Sequence, residues 1–335
     1  MNNHSFGCDF GSYHLKIYHK DTDAYLIQHN MVAIQDKKGM LAYGDEAYAM
    51  YEKAPSNIQV TSPMSYGNLA SISHMQTFLK LLLESNTKGQ LKGADYFVAL
   101  PTDMQERIFT TLIQDSTMKP RGVYLVDKPV AAGLGLGINV KEAQGVMIVD
   151  IGAETTEISV LSLGGIVISR LIQNGGRSID DAIQSAIRKE FNFFIGSKTA
   201  EAIKKGLACA IEPDGSSMQI CGRNMVVGLP QMMEITSEFV YESIKEQLGI
   251  IMDAVKTILE RTPPELGVDI IQNGIYLTGG SARIRNLDQL LQQKSGIRVT
   301  VDEEPEMSVA KGLARVMVDR DFRSLAFVTK EQKYE

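Results

Sequence analysis

The strongest constraint on the fold is one short pattern that occurs twice. "FGCDFGSYHLKIY" (residues 6–18) and "MIVDIGAETTEISVL" (residues 147–161) both read as a strand, Asp-x-Gly, a few turn residues and a returning strand. Asp9 and Asp150 lie 141 positions apart. Because each pattern begins one half of the chain, we expect an internal duplication. With 335 residues, the chain is also too long for one compact core.

The segments between the repeats favour an α/β architecture. Hydrophobic residues recur with the 3.6-residue period over residues 237–261, which predicts a long helix. Thr236 or Ser237 is its candidate N-cap, and Pro263 with Pro264 ends it. "FLKLLLES" (residues 78–85) is too short for a membrane span and predicts a buried helix. Three apolar runs predict buried strands; they are residues 95–101, 122–129 and 273–280.

Charge and cysteine content exclude several classes of protein. The net charge is −6, and no block of Lys and Arg occurs, which argues against general nucleic-acid binding. The three cysteines form no CxxC pair, so they indicate neither a disulfide framework nor a zinc site. The five histidines show no ligand spacing either. The first residues lack the basic and apolar regions of a secretory signal, so we expect a cytoplasmic protein.

The repeated turns suggest phosphate chemistry. A tight Gly-containing turn between strands can hold phosphate oxygens, and Asp9 and Asp150 could each hold Mg²⁺ through its waters. A single Asp-x-Gly is usually an ordinary turn, but two in matching halves carry more weight. Residues 278–281 ("TGGS") either bind an anion or polar ring edge or form a plain strand-to-helix turn. Glu201 and Lys204 share one helical face, where a solvated ion pair is the alternative to a ligand contact.

The order of these elements resembles the actin-like ATPase superfamily and, more closely, the bacterial rod-shape MreB family. The resemblance covers nearly the whole chain. It implies an α/β, two-lobed actin-like (ribonuclease-H-like) fold, with duplicated mixed-sheet domains, helices on both faces and a nucleotide cleft between the lobes. The segments that carry it are "GDEAYAMYEKAPSNI", "VALPTDMQERI", "ISVLSLGGIVISRLI", "NFFIGSKTAEAIK", "CGRNMVVGLP", "RTPPELGVDII" and "GIYLTGGSARIRNLDQLL".

The resemblance also implies four subdomains and a set of ligand residues. We expect subdomain IA at residues 1–31, 72–145 and 313–335, IB at 32–71, IIA at 146–178 and 246–312, and IIB at 179–245. The implied ligands are ATP or ADP and Mg²⁺, with Asp9 and Asp150 at the metal. The implied nucleotide-binding residues are Gly11, Ser12, Tyr13, His14, Gly152, Ala153, Glu154, Thr155, Glu201, Lys204, Thr278, Gly279, Gly280 and Ser281.

The chain departs from the family pattern in its phosphate half. Lys128 stands where the family has the acid that positions the attacking water, and Tyr13 and Glu154 replace smaller residues. A charged lysine cannot accept a proton, so we expect at most a weak ATPase. We expect Glu154 either to pair with Lys128 or to leave Lys128 to clamp the terminal phosphate. The alternative is that Glu154 points to solvent.

Three functions are compatible with these residues. The first is an ATP-binding cytoskeletal filament involved in cell shape, with this chain itself as the main partner. The second is a pseudo-ATPase scaffold that co-assembles with paralogous MreB-type subunits. The third is a superfamily sugar or acetate kinase, against which no substrate-binding insertion is apparent. Membrane-bound morphogenesis proteins are further candidate partners, and the protein could lie peripherally at the inner face of the membrane.

Overall fold

The computed structural model describes residues 4–36, 38–87, 91–114 and 118–329. The chain divides into two compact units. Unit 1 comprises Met1–Ala143, Leu161–Val167 and Glu306–Glu335, and unit 2 comprises Gln144–Val160 and Ile168–Pro305. The finer division into four subdomains stays a prediction.

Strands and helices alternate through the chain. Up to residue 143 they are β1 (Ser5–Phe10), β2 (His14–His19), β3 (Ala24–His29), β4 (Val32–Gln35), β5 (Gly39–Tyr43), α1 (Gly44–Met50), β6 (Ile58–Thr61), β7 (Met64–Ser65), β8 (Asn68–Leu69), α2 (Ile72–Thr87), β9 (Asp95–Leu100), α3 (Glu106–Ile113), β10 (Gly122–Asp127) and α4 (Lys128–Gly135). Then follow β11 (Val146–Ile151), β12 (Thr156–Ser162), β13 (Gly165–Ile172), α5 (Gly176–Phe191), β14 (Phe193–Phe194), α6 (Ser197–Leu207), β15 (Ser217–Asn224), β16 (Pro230–Thr236), α7 (Ser237–Arg261), α8 (Pro264–Asn273), β17 (Ile275–Thr278), α9 (Leu287–Ser295), β18 (Val299–Val301) and α10 (Ser308–Val318). Short 3-10 helices lie at Gly280–Arg283 and Arg320–Leu325.

The two large sheets repeat one strand order. The first sheet runs β10-β9-β1-β2-β3, and the second runs β18-β17-β11-β12-β13. In the first, β1 pairs antiparallel with β2 and parallel with β9. In the second, β11 pairs parallel with β17, which pairs parallel with β18. The predicted duplication is therefore present strand by strand, and the Asp-x-Gly patterns open equivalent hairpins.

Each sheet has its own apolar core. All six residues of β9 and all six of β11 are buried, as expected for strands covered on both faces. The cluster around Phe6 includes Phe78 and Leu82 of α2, so "FLKLLLES" is the predicted buried helix. The cluster around Val149 includes Ile183 of α5 and Ile251 of α7.

The long helix begins and ends where the sequence predicts. The Thr236 side chain accepts a hydrogen bond from Phe239 N at 3.4 Å, and Pro263 and Pro264 follow the last turn of α7. In the part of the chain that the structure describes, no helix has the length and apolar character needed to cross a bilayer.

Candidate functional site

The first Asp-x-Gly turn, in unit 1, contains a buried ion pair. Asp9 lies near the end of β1 and is 3% exposed, and Lys16 of the neighbouring strand β2 donates to its Oδ2 at 2.9 Å. The residues are adjacent because the β1–β2 register places Asp9 opposite Lys16. The sequence indicated Asp9 as a metal ligand but gave no role to Lys16. The cation therefore neutralises this carboxylate within its own hairpin.

Asn30 holds the turn in place from the end of β3. Its side-chain amide donates to Gly11 O and its backbone N–H donates to Tyr13 O, each at 2.8 Å. A Cβ on Gly11 would lie 2.7 Å from the His14 carbonyl oxygen, so the turn requires glycine there. Asn30 is fully buried, and it was not predicted from the sequence.

Tyr13 and His14, both predicted nucleotide-binding residues, lie in an aromatic cluster. The Tyr13 ring lies edge-on to His14 with 4.6 Å between ring centroids, and His29 stacks on Tyr48 at 3.9 Å. The Tyr13 and His29 centroids are 5.2 Å apart. The bulk that Tyr13 brings to the first turn is thus packed against neighbouring rings of unit 1.

Lys128 is the first residue of α4 and follows directly after β10. Pro129 fits the first turn of that helix because its missing N–H is not needed there. Burial, and next the negative charge of Glu106, raises the pKa of Asp127 above its ordinary value. The consecutive residues Asp127, Lys128 and Pro129 thus occupy the positions where the MreB family pattern has Glu-Glu-Pro.

The second Asp-x-Gly turn, in unit 2, is hydrogen-bonded to two other segments. Gly152 O accepts from Gly176 N at 3.0 Å and from Ser281 Oγ at 2.9 Å. Ala153 O accepts from Arg177 N at 2.6 Å. The start of α5 and the Gly-Gly segment after β17 thus converge on this turn.

Glu154 is buried and paired with a cation from α5. Its side chain is 4% exposed, and its Oε1 lies 2.9 Å from Arg177 Nη1. The alternative that Glu154 points to solvent is therefore wrong. Pairing with Lys128, which belongs to the other unit, stays a prediction. Arg177 was not identified from the sequence.

Asp150 lies beside Gly279. Gly279 has φ of +84°, and a Cβ there would collide with Asp150 Oδ1 and Ile151 O. Thr278 Oγ1 and Gly279 N both donate to Pro305 O, at 2.8 and 2.9 Å. Glycine at 279 thus allows the loop after β17 to approach the predicted metal-binding acid.

Glu201 and Lys204, both predicted nucleotide-binding residues, each form an ion pair with a different residue. Lys204 Nζ lies 2.8 Å from Asp180 Oδ2 and 2.9 Å from Gly176 O, whereas Glu201 pairs with Lys205 at 2.7 Å. The alternative of a solvated ion pair between Glu201 and Lys204 is therefore wrong, and their contact with a nucleotide stays a prediction. The Lys204 side chain points towards the start of α5 because it donates hydrogen bonds there to the Asp180 carboxylate and the Gly176 carbonyl.

Asp180 of α5 lies close to the second turn and has a raised pKa. Burial raises its pKa to about 6, although Lys204 acts in the opposite direction. Its Oδ1 is buried with no hydrogen-bond partner among the described residues. A Cβ on Gly176 would meet Ser281 Oγ at 2.7 Å and Lys204 Nζ at 3.1 Å. Glycine at 176 therefore lets Ser281 and Lys204 approach the start of α5 closely, and Asp180 keeps one buried acceptor oxygen without a donor among the described residues.

Comparisons with known proteins agree with this arrangement. A family model described as "MreB/Mbl protein" matches residues 3–324. The cell shape-determining protein Mbl of Bacillus subtilis is 36% identical, over 93% of this chain and 95% of that protein. The cell shape-determining protein MreB of Escherichia coli is 35% identical, over 93% and 92%.

Solved structures confirm the predicted fold class. MreB 5 of Spiroplasma citri bound to AMPPNP has a TM-score of 0.91 at 30% identity, covering 97% of this chain and 99% of that one. The MamK double helical filament has a TM-score of 0.80 at 21% identity, covering 94% and 99%, and supports the fold alone. From the family match, the two relatives and the duplicated sheets, it follows that this chain belongs to the MreB/Mbl family of actin-like, cell shape-determining proteins.

Proposed function

We propose that this chain binds ATP through the residues of its two Asp-x-Gly turns and polymerises into filaments that act in cell shape. The observation that carries the proposal is the convergence of the start of α5 and the segment after β17 on the second Asp-x-Gly turn of unit 2, beside the buried acid Asp150. Structures of a 30%-identical relative with AMPPNP and with ADP support the choice of ligand.

Asp9 and Asp150 fit a water-mediated contact with Mg²⁺. Both are buried carboxylates at equivalent turns. Asp9 already accepts a hydrogen bond from Lys16, but a carboxylate accepts several, so this ion pair is compatible with a metal-bound water. When bound, Mg²⁺ supplies positive charge to the nucleotide phosphates.

Hydrolysis should be slow because of Lys128. General-base catalysis contributes about 10²–10⁴-fold to rates, and an ammonium group has no lone pair to offer water. The pair of Glu154 with Arg177 affects binding instead. A lone carboxylate 4 Å from a phosphate charge would cost about 4 kcal/mol at an effective dielectric of 20. The guanidinium of Arg177 largely cancels that repulsion, so ATP is still able to bind.

The test combines ATP affinity, phosphate release and sedimentation of purified protein. We expect ATP binding, turnover well below that of actin-like ATPases, and pelleting that depends on nucleotide. Lys128→Glu combined with Glu154→Gly should raise phosphate release at least about tenfold. The control Lys92→Glu, at an exposed lysine of unit 1, which also contains Lys128, should not raise it. Absence of ATP binding at millimolar concentration would overturn the proposal.

Other outcomes would favour the alternatives. Assembly that ignores nucleotide would support a pseudo-ATPase scaffold, and co-pelleting with a paralogous MreB-type subunit would identify its partner. ADP production stimulated by a sugar or by acetate would support a kinase. Binding to vesicles or to membrane-bound morphogenesis proteins would support a peripheral position at the membrane.

A further inference from the structure

Three potential metal ligands meet at the end of the first sheet that is remote from the Asp9 turn. They are His4, just before β1, His19, the last residue of β2, and Asp21 in the following turn. Their ligand atoms all lie within 4.8 Å of one another. With a strand rise of about 3.3 Å per residue, His4 is roughly 17 Å along the strand from Asp9. The group is therefore separate from the candidate nucleotide site.

Sheet hydrogen bonds fix the backbone of this group. His19 pairs with Phe6 in the β1–β2 register, and Lys20 N donates to Ser5 O at 3.1 Å. Asp95 N, at the start of β9, donates to His4 O at 3.0 Å. The ligands are consequently carried on paired strands and a tight turn, whose geometry is preset before any ion arrives.

Thr22 determines which nitrogen of His19 faces the group. The threonine Oγ1 lies 3.0 Å from His19 Nδ1 and donates to His19 O at 3.5 Å. A hydroxyl that donates to a carbonyl can accept a hydrogen bond from Nδ1–H, and Nε2 then carries the lone pair. Such a partner on the second nitrogen is the usual way to orient a metal-binding imidazole.

His19 Nε2 is buried and faces the exposed residue Asp21. His19 is 5% exposed and its ring stacks on Phe6 with 4.8 Å between centroids. Nε2 has no hydrogen-bond partner among the described residues and lies 3.7 Å from Asp21 Oδ2. The same carboxylate oxygen contacts His4 Nδ1. The Nε2 lone pair and the carboxylate of Asp21, whose side chain is 34% exposed, repel each other, and a cation between them removes the repulsion.

We propose that His4, His19 and Asp21 bind a zinc ion. Two imidazole nitrogens and one carboxylate oxygen are ligands that Zn²⁺ prefers, whereas Mg²⁺ and Ca²⁺ prefer oxygen alone. With ligand-to-metal distances of about 2.0–2.2 Å, tetrahedral ligand atoms lie roughly 3.3–3.6 Å apart. Asp21 must therefore move away from His4, whereas His19 Nε2, at 3.7 Å from the same carboxylate oxygen, closes by only a few tenths of an ångström. The ion displaces the proton shared by His4 and Asp21, and water completes the tetrahedral set.

The linear spacing of the histidines does not indicate this site. His4 and His19 are fifteen positions apart, with no motif to connect them. They meet because β1 and β2 form an antiparallel hairpin whose open end brings the two positions together. The proximity of His4 and His19 therefore depends on the register of β1 and β2, and the number of residues between them does not reveal it.

The test measures Zn²⁺ binding to full-length protein purified without a polyhistidine tag and stripped with chelator. Calorimetry in excess Mg²⁺, which fills oxygen-only sites, should give one Zn²⁺ per chain, and bound Co²⁺ should show the visible absorption of a nitrogen-containing tetrahedral site. His19→Ala and Asp21→Asn should each abolish binding. The matched control His74→Ala should leave it unchanged.

Thr22→Val separates an oriented site from chance contact by surface groups. It keeps all three ligands but removes the hydroxyl on His19 Nδ1, so affinity should fall by about 10–100-fold. Circular dichroism would show that each variant folds. Stoichiometry well below one in the wild type, or unchanged affinity in the folded Asp21→Asn variant, would overturn the proposal. Neither result depends on nucleotide binding.

Discussion

Replacing Arg177 by alanine removes the guanidinium that lies 2.9 Å from the buried carboxylate of Glu154. At an effective dielectric of 20, the attraction across that distance is about 6 kcal/mol. Desolvation of Glu154 offsets much of it, and Arg177 is 45% exposed, so solvent screens the rest. We therefore expect Arg177→Ala to lower the free energy of unfolding by about 1–2 kcal/mol.

The assay is a double-mutant cycle with Arg177→Ala, Glu154→Ala and the double variant. Urea unfolding followed by circular dichroism gives the stability of each protein, and calorimetry with AMPPNP gives its nucleotide affinity. If the pair acts as proposed, the double variant is more stable than the sum of the single changes predicts, by about 1–2 kcal/mol. Arg177→Ala should also weaken AMPPNP binding, and the second substitution should restore it.

Arg188→Ala is the matched control, because Arg188 is an exposed arginine in the last turn of the same helix. It should change the free energy of unfolding by less than about 0.5 kcal/mol. A coupling energy near zero between positions 154 and 177, with AMPPNP affinity unaffected by Arg177→Ala, would refute the reasoning. The Glu154 charge would then be balanced elsewhere.

Three further substitutions test other parts of unit 2. Gly279→Ala should abolish nucleotide binding and destabilise the protein by more than about 2 kcal/mol, since its Cβ collides with Asp150; Gly296→Ala, at φ +71° in open space, should cost only about 1 kcal/mol in urea unfolding. The folded-state pKa of Asp180, about 6, lies above the ordinary 3.8, so its contribution to stability is present at low pH and is lost as pH rises through 6. Asp180→Asn should flatten that part of a stability-against-pH curve, and an unchanged curve would contradict the assignment. Thr236→Ala should cost about 1 kcal/mol by removing the N-cap of α7, measured by thermal unfolding, with no effect on AMPPNP affinity.

The backbone plan of this protein can be predicted from its sequence because it depends on local patterns. A strand, Asp-x-Gly and a returning strand are contiguous, so two copies predict two equivalent hairpins. The observed strand orders repeat accordingly, with β1 and β11 at equivalent places. The limits of α7 are equally local, since Thr236 and Pro263 lie next to it.

The partners of the charged side chains could not be predicted in the same way. Arg177 reaches Glu154 because the start of α5 packs on the second turn, which depends on the tertiary structure. Lys204 chooses Asp180 over its helical neighbour Glu201 for a similar reason. The i,i+3 rule describes an isolated helix, where the pair is worth only a few tenths of a kcal/mol. A partly buried carboxylate nearby easily outweighs it.

If the proposed function is correct, the charges of the two turns separate nucleotide binding from hydrolysis. The acid of the first turn, Asp9, is balanced by Lys16, and the extra acid of the second, Glu154, is balanced by Arg177. Because each charge is compensated inside its own unit, neither pair repels a polyphosphate strongly. Lys128 is a change of a different kind, since it removes a proton acceptor. ATP would then bind and remain unhydrolysed for a long time. Filaments of this chain would persist because ATP hydrolysis within them is slow.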